Sequence, residues 1–205
     1  LKIISHKGNE LLSSIILIGI REGLINPINA QGGILGDLPF ATDNVEFKFS
    51  HDKVHQAAYN LLPTTEQQRI HHEIGNLLLN GLSDEEVEER IFDIVNHLNH
   101  HLATTKEEQL KLVSLYLLAS NKSKQSGGFV TALSYIRVCL ELLDESAWTH
   151  SYDLCLEVHT EASVVAYLTG EYVLMDSTSK EIRKKAKGLM EVIRVNEIVM
   201  QAYHA

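Results

Sequence analysis

Ser126-Gly127-Gly128-Phe129-Val130-Thr131-Ala132 and Thr169-Gly170-Glu171-Tyr172-Val173-Leu174-Met175 follow one pattern, offset by 43 positions. Each opens with a small hydroxyl residue and a glycine. An aromatic residue follows two positions later, and a small or apolar residue three positions beyond that. Glycine accepts the positive φ that a tight reversal between helices demands, a conformation that a Cβ resists. The pattern therefore predicts two helical hairpins, each reversing at its glycine, with Phe129 and Tyr172 wedged between the paired helices.

Working outward, the chain upstream carries three capping-box signatures, in which a hydroxyl residue is followed three positions later by Glu or Gln. They are Thr64 with Gln67, Ser83 with Glu86, and Thr105 with Glu108. Each precedes an apolar stripe at helical spacing: Ile70, Ile74, Leu77 and Leu78; Val87, Ile91, Ile94, Val95 and Leu98; Leu110, Val113, Leu117 and Leu118. Closer to the start, Leu11, Leu12, Ile15, Ile16 and Ile20 place a helix over 9–23. Residues 26–44, rich in Asn, Gly, Asp and Pro, read as a loop. Val45, Phe47 and Phe49 alternate with Glu46 and Lys48 as in a short half-buried strand. Ser50 then leads into a helix carrying Val54, Ala57, Ala58 and Leu61, which Pro63 ends. The expected fold is mainly α.

With 18 Lys and Arg against 27 Asp and Glu, the formal charge is −9. Such a surface repels phosphate backbones and anionic lipid, so neither nucleic acid nor membrane is an expected partner. A DNA-binding winged helix would need 51–62 as its recognition helix, where Lys53 is the sole Lys or Arg. The apolar run from Leu11 to Ile20 is interrupted by Ser13 and Ser14 and is too short to span a bilayer. Cys139 and Cys155 lie within helical apolar patterns and read as reduced core residues of a cytoplasmic protein. Leu1 in place of methionine reads as the start of an excised segment.

No catalytic residue stands out. Eleven histidines raise the question of a metal. His51 and His55 have an i, i+4 spacing, but neither they, nor His71–His72, nor His97, His100 and His101 have the Cys or carboxylate partners that complete a ligand set. No metal site is expected. The nucleophile elbow G-x-S-x-G and the phosphate loop G-x-x-x-x-G-K-[ST] are both absent, and Gly32-Gly33 with Gly36 reads as a flexible loop. Ser50-His51-Asp52 imitates the phospho-accepting box of histidine kinases, but Arg-Thr-Pro does not follow, and His51 comes directly after a strand rather than inside a helix.

Two resemblances extend this reading. Ser120, Gly127, Phe129, Ala132, Ile136 and Cys139, and in the second copy Ser163, Gly170, Tyr172, Met175, Ser179 and Ile182, resemble the key positions of the tetratricopeptide repeat. The period is longer than the usual repeat of about 34 residues, and Met175 replaces a small residue. Further, Phe49-Ser50-His51-Asp52-Lys53-Val54-His55-Gln56-Ala57-Ala58-Tyr59, then His71-x-x-Ile74-Gly75-x-Leu77-Leu78, then Ile91-Phe92-Asp93-Ile94-Val95-Asn96-His97-Leu98-Asn99 resemble a family of very large signalling proteins. Those proteins join a protein-kinase-like domain, a STAND-type regulatory ATPase, a helical repeat region, a GAF sensor and a histidine kinase. The resemblance implies that 1–62 is the winged-helix-like end of the ATPase module and 63–205 a tetratricopeptide-like helical arm. It implies a regulatory, non-enzymatic role in relaying ATPase or partner state to the kinase, with other domains of the same chain or other proteins as partners. It also implies a role for His51 and Asp52. In related ATPases a Met-His-Asp motif senses ADP, so His51 would donate to a β-phosphate and Asp52 would orient the loop. ATP or ADP would then belong to the longer protein and no cofactor to this segment. The plainer alternative is that His51 and Asp52 cap the helix. A stand-alone helical-repeat adaptor is the rival reading of the whole chain.

Overall fold

In the computed structural model, residues 10–28, 47–98 and 105–204 are described, and helices take 81% of them, so the chain is mainly α. The chain divides into two compact units after Gln67. In the first, α1 (Glu10–Arg21) leads through β1 (Ile25–Pro27) and β2 (Phe47–Phe49) to α2 (Asp52–Asn60) and the opening turn of α3 (Thr64–Gly81). The second holds the rest of α3, then α4 (Asp84–Glu89), α5 (Ile91–Leu98), α6 (Lys106–Gln125), α7 (Phe129–Leu142), α8 (Ala147–His150), α9 (Tyr152–Thr169), α10 (Tyr172–Lys185) and α11 (Leu189–His204).

In the first unit, Gly23 (φ 68°) turns the chain out of α1, its N–H reaching Ile20 O at 3.0 Å. β1 and β2 then pair antiparallel, Ile25 opposite Phe49 and Pro27 opposite Phe47. The alternation expected of the strand holds over 47–49: Phe47 is buried, Lys48 exposed and Phe49 half-buried. Val45 and most of the expected loop lie outside the described residues. The start of that loop is corrected, because Asn26 and Pro27 belong to β1. A three-residue strand containing Asn and Pro carries no period-two signal, and Pro is tolerated because a two-stranded sheet consists of edges.

Two of the three expected capping boxes close. Ser83 Oγ accepts from Glu86 N (3.4 Å) while Ser83 N donates to Glu86 Oε2 (2.9 Å). Thr105 Oγ1 accepts from Glu108 N (3.2 Å) while Thr105 N donates to Glu108 Oε2 (3.3 Å). The box at Thr64 does not form. Pro63 favours a helical start, and its carbonyl already accepts from Gln67 N (3.0 Å), which makes Thr64 helical rather than a cap. Gln67 Nε2 instead donates to Tyr59 O (3.1 Å) and Leu62 O (3.0 Å), satisfying the carbonyls at the end of α2. The stripe after Ser83 is also broken, at Arg90 (φ −102°, ψ 17°), so α4 and α5 are separate helices. Ile91, Ile94, Val95 and Leu98 nevertheless all reach the core.

The repeated pattern folds twice in the same way. Gly127 and Gly170 have φ of 81° and 75°. The next residues, Gly128 and Glu171, share one conformation (φ −81°, ψ 59° and φ −82°, ψ 60°). Gly128 N donates to Ser123 O and Glu171 N to Ala166 O, both at 2.8 Å, and α7 and α10 are each 14 residues long. Within each hairpin a fully buried serine on the first helix bonds to the second: Ser120 Oγ to Ala132 O (3.1 Å), and Ser163 Oγ with Thr178 Oγ1 (2.8 Å). Ala132, Ile136 and Cys139, and likewise Met175, Ser179 and Ile182, are completely buried. The expected aromatic wedge is corrected: Phe129 and Tyr172 remain 37% and 49% exposed. They occupy the first turn of the second helix, at the rim of the hairpin, and the seam is filled by residues one turn further in. The main core joins α5, α6, α7 and α9, and a satellite forms from Ala147, Trp148 and Cys155.

Candidate functional site

α6, α9 and α11 enclose a groove of about 750 Å³ within the second unit. Its floor is α9, which presents two rows at i, i+4 spacing: Asp153, Glu157 and Glu161, and beside them Leu156, Thr160 and Val164. Residues four apart on a helix share a face, so one row is acidic and the other largely apolar. Asn121 and Lys124 of α6 form one wall, and Met190, Ile193, Arg194 and Glu197 of α11 contribute to the other.

The charges in the groove divide into those engaged by the fold and those that are not. Lys124 Nζ meets Glu161 Oε2 at 2.6 Å, joining α6 to α9 with the side chains only 26% and 10% exposed. Glu161 Oε1 is buried with no hydrogen-bond partner. Glu191 is committed to the start of α11: its Oε2 accepts from Tyr152 OH (2.6 Å), Lys187 N (2.9 Å) and Gly188 N (3.3 Å). Those bonds, led by that from Tyr152, hold the Glu191 carboxyl below the usual range. Lys187 Nζ lies 3.7 Å from the Tyr152 ring centroid, so one tyrosine holds Glu191 of α11 through its hydroxyl and Lys187 of the α10–α11 connection through its face. Asp153, Glu157 and Glu197 make no ion pair or hydrogen bond among the described residues.

His51 and Asp52 stand elsewhere, in the first unit. His51 occupies the N-cap of α2 in extended conformation (φ −144°, ψ 144°), and its side chain makes no capping bond. Both residues are exposed, with Asp52 in the first helical turn. Asn26 Nδ2 donates to the neighbouring Ser50 Oγ (3.2 Å), whose hydroxyl in turn donates to Gly23 O, so the approach to α2 is fixed by Ser50. An exposed imidazole at a helix N-terminus fits an anion, since N–H groups of the first turn point outward. The Asp52 carboxylate in the same turn opposes it. His55 lies against Phe49, ring centroids 5.0 Å apart, and does not join His51 in a ligand pair. His71 and His97 meet through their Nδ1 atoms at 2.8 Å, linking α3 to α5. Among the described residues no group of three or more His, Cys, Asp or Glu is arranged to hold a metal ion. Nor, among them, is any helix long and apolar enough to cross a membrane.

The groove carries no nucleophile, metal-ligand or phosphate-loop motif, so none of those patterns points to it. The signal that marks it is the double i, i+4 row over 153–164, legible once 152–169 is read as one helix.

No protein-family model matches the chain, and no solved structure matches it. The chain is similar to the hybrid signal transduction histidine kinase G of Dictyostelium discoideum, 25% identical over 191 residues. That match covers 78% of this chain and 6% of the relative, so the chain spans a small part of the protein it resembles.

Proposed function

We propose that this chain is a non-catalytic regulatory segment of a large sensor histidine kinase, a helical arm on which another protein segment docks. The observation that carries the reading is the α6/α9/α11 groove, an open cavity of about 750 Å³ lined by residues of three helices. Stacked helical hairpins present extended surfaces of this kind for protein recognition. The similarity to a hybrid histidine kinase supports the signalling context. The equivalent turns at Gly127 and Gly170 favour a tetratricopeptide-like identity for 63–205. The two-stranded ribbon followed by α2 favours a winged-helix-like identity for 1–62.

In this reading the arm relays the state of an adjoining STAND-type ATPase, or of a bound partner, to the kinase. The signal passes through packed helices rather than through a reaction. His51 and Asp52 enter as the nucleotide-sensing pair of the longer protein, with the imidazole and the start of α2 receiving the β-phosphate of ADP. The test is to add ATP or ADP with magnesium to the chain and follow phosphate release and melting temperature. The reading expects no turnover, and any stabilisation by ADP to disappear in His51→Ala. Phosphate release by the chain, abolished by a substitution in the chain itself, overturns it.

A further inference from the structure

The groove has a chemical bias that its shape alone does not reveal. Five carboxylates line it against two cations, Lys124 and Arg194. Lys124 is already spent on Glu161. The carboxylates of Asp153, Glu157 and Glu197 find no partner among the described residues. Glu161 is nine-tenths buried beside them, with Oε2 held by Lys124 and Oε1 closed to solvent and without a hydrogen-bond partner among the described residues, so the three exposed acids carry the bias. A buried carboxylate oxygen without a donor is costly, and such atoms are few in native proteins. Leu156, Val164 and Ile193 add apolar surface alongside.

We propose that this groove receives a cationic amphipathic segment of another protein, with Leu156, Val164 and Ile193 against its apolar face and Asp153, Glu157 and Glu197 against its Lys or Arg side chains. Complementary charge across such a surface governs which partner is accepted and how fast it arrives. The inference rests on the groove being a docking site and adds the chemistry of what docks.

The probe is a synthetic Lys/Leu amphipathic helix of about 16 residues, enough for four turns. It is titrated into the 205-residue chain at low salt by fluorescence anisotropy, beside a scrambled Lys/Leu peptide and a Glu/Leu counterpart. The Lys/Leu amphipath is expected to bind best, to weaken about tenfold in Glu157→Lys/Glu197→Lys, and to be unchanged in Glu141→Lys, an exposed acid on α7 outside the groove. If the double reversal lowers the melting temperature, Glu157→Gln/Glu197→Gln replaces it with a smaller expected loss. Equal binding of the Glu/Leu peptide, weakened by Ile193→Arg, overturns the cationic assignment while leaving the groove as a docking site. Failure of both amphipaths to bind, or binding indifferent to every groove substitution, overturns the docking reading as well. Self-association of the chain abolished by Glu157→Lys/Glu197→Lys assigns the groove to a second copy and also overturns the proposal.

Discussion

Lys124 of α6 reaches across to Glu161 of α9 and meets its Oε2 at 2.6 Å, while Oε1 of the same carboxylate has no donor. The pair ties the two hairpins together at the edge of the groove. Removing the lysine leaves a buried charge uncompensated, which costs more than the pair itself contributes. Lys124→Met is expected to destabilise the chain by about 2 kcal/mol in urea unfolding, moderated by the exposure that Lys124 retains. Adding Glu161→Gln to that variant should recover most of the loss. A double variant less stable than Lys124→Met would show that Glu161 is held by something other than the ion pair.

The two hairpin turns make a matched prediction. A Cβ at Gly127 or Gly170 would meet nothing within 4 Å, so the cost of alanine comes from positive φ alone. Gly127→Ala and Gly170→Ala should each cost about 1 kcal/mol by chemical denaturation, with Asn costing less. Gly75 in α3 is the contrasting case. Its added Cβ would stand 2.5 Å from Leu98 Cδ2, and Leu98 is a core residue with little room to move. Gly75→Ala should therefore destabilise despite the better helix propensity of alanine, and Gly75→Val should do so more severely.

His159 gives the stability of the arm a pH dependence. Burial holds its pKa below the ordinary 6.5, and the bond between its Nδ1 and Cys155 O (2.8 Å) offsets this only in part. On unfolding, the imidazole regains its ordinary affinity for protons, so between the depressed folded value and 6.5 the unfolded state binds more of them. The contribution is fully present above pH 6.5, declines as pH falls through that value, and levels off below the folded pKa. Melting temperature measured against pH should lose this component in His159→Gln, relative to wild type. An unchanged difference between the two proteins across pH 5 to 8 would contradict it.

Both cysteines are free and fully buried, and burial pushes the Cys139 thiol up to about 12. Burial raises Cys155 as well. Because the thiolate is the reactive form, neither should be modified by a thiol reagent in the native chain, while both should react in denaturant. Rapid labelling of native protein would show that α7 or α9 opens far more readily than its packing implies.

How much of this could be read beforehand depends on the range of the interactions involved. The capping boxes at Ser83 and Thr105 and the turns at Gly127 and Gly170 are local, three- to five-residue events, and the sequence shows them directly. The loss of the Thr64 box follows from Pro63, the residue just before it, and is therefore a local effect that the sequence does hold, whereas no residue type marks the break at Arg90. β1 is hidden because its hydrogen bonds come from a strand twenty residues away. The groove is a tertiary object. Its acidic row lies within one helix, but that Asp153, Glu157 and Glu161 face a channel follows only from where α6 and α11 sit.

The most direct measurement is a methyl NMR titration of the 205-residue chain with the cationic amphipath. The groove places Leu156, Val164 and Ile193 against the ligand, so their methyl signals should shift together and saturate at one affinity. Those of Leu133 and Val138 on α7 should stay in place. Shifts confined to α7, or spread evenly over the chain, would contradict docking between α6, α9 and α11.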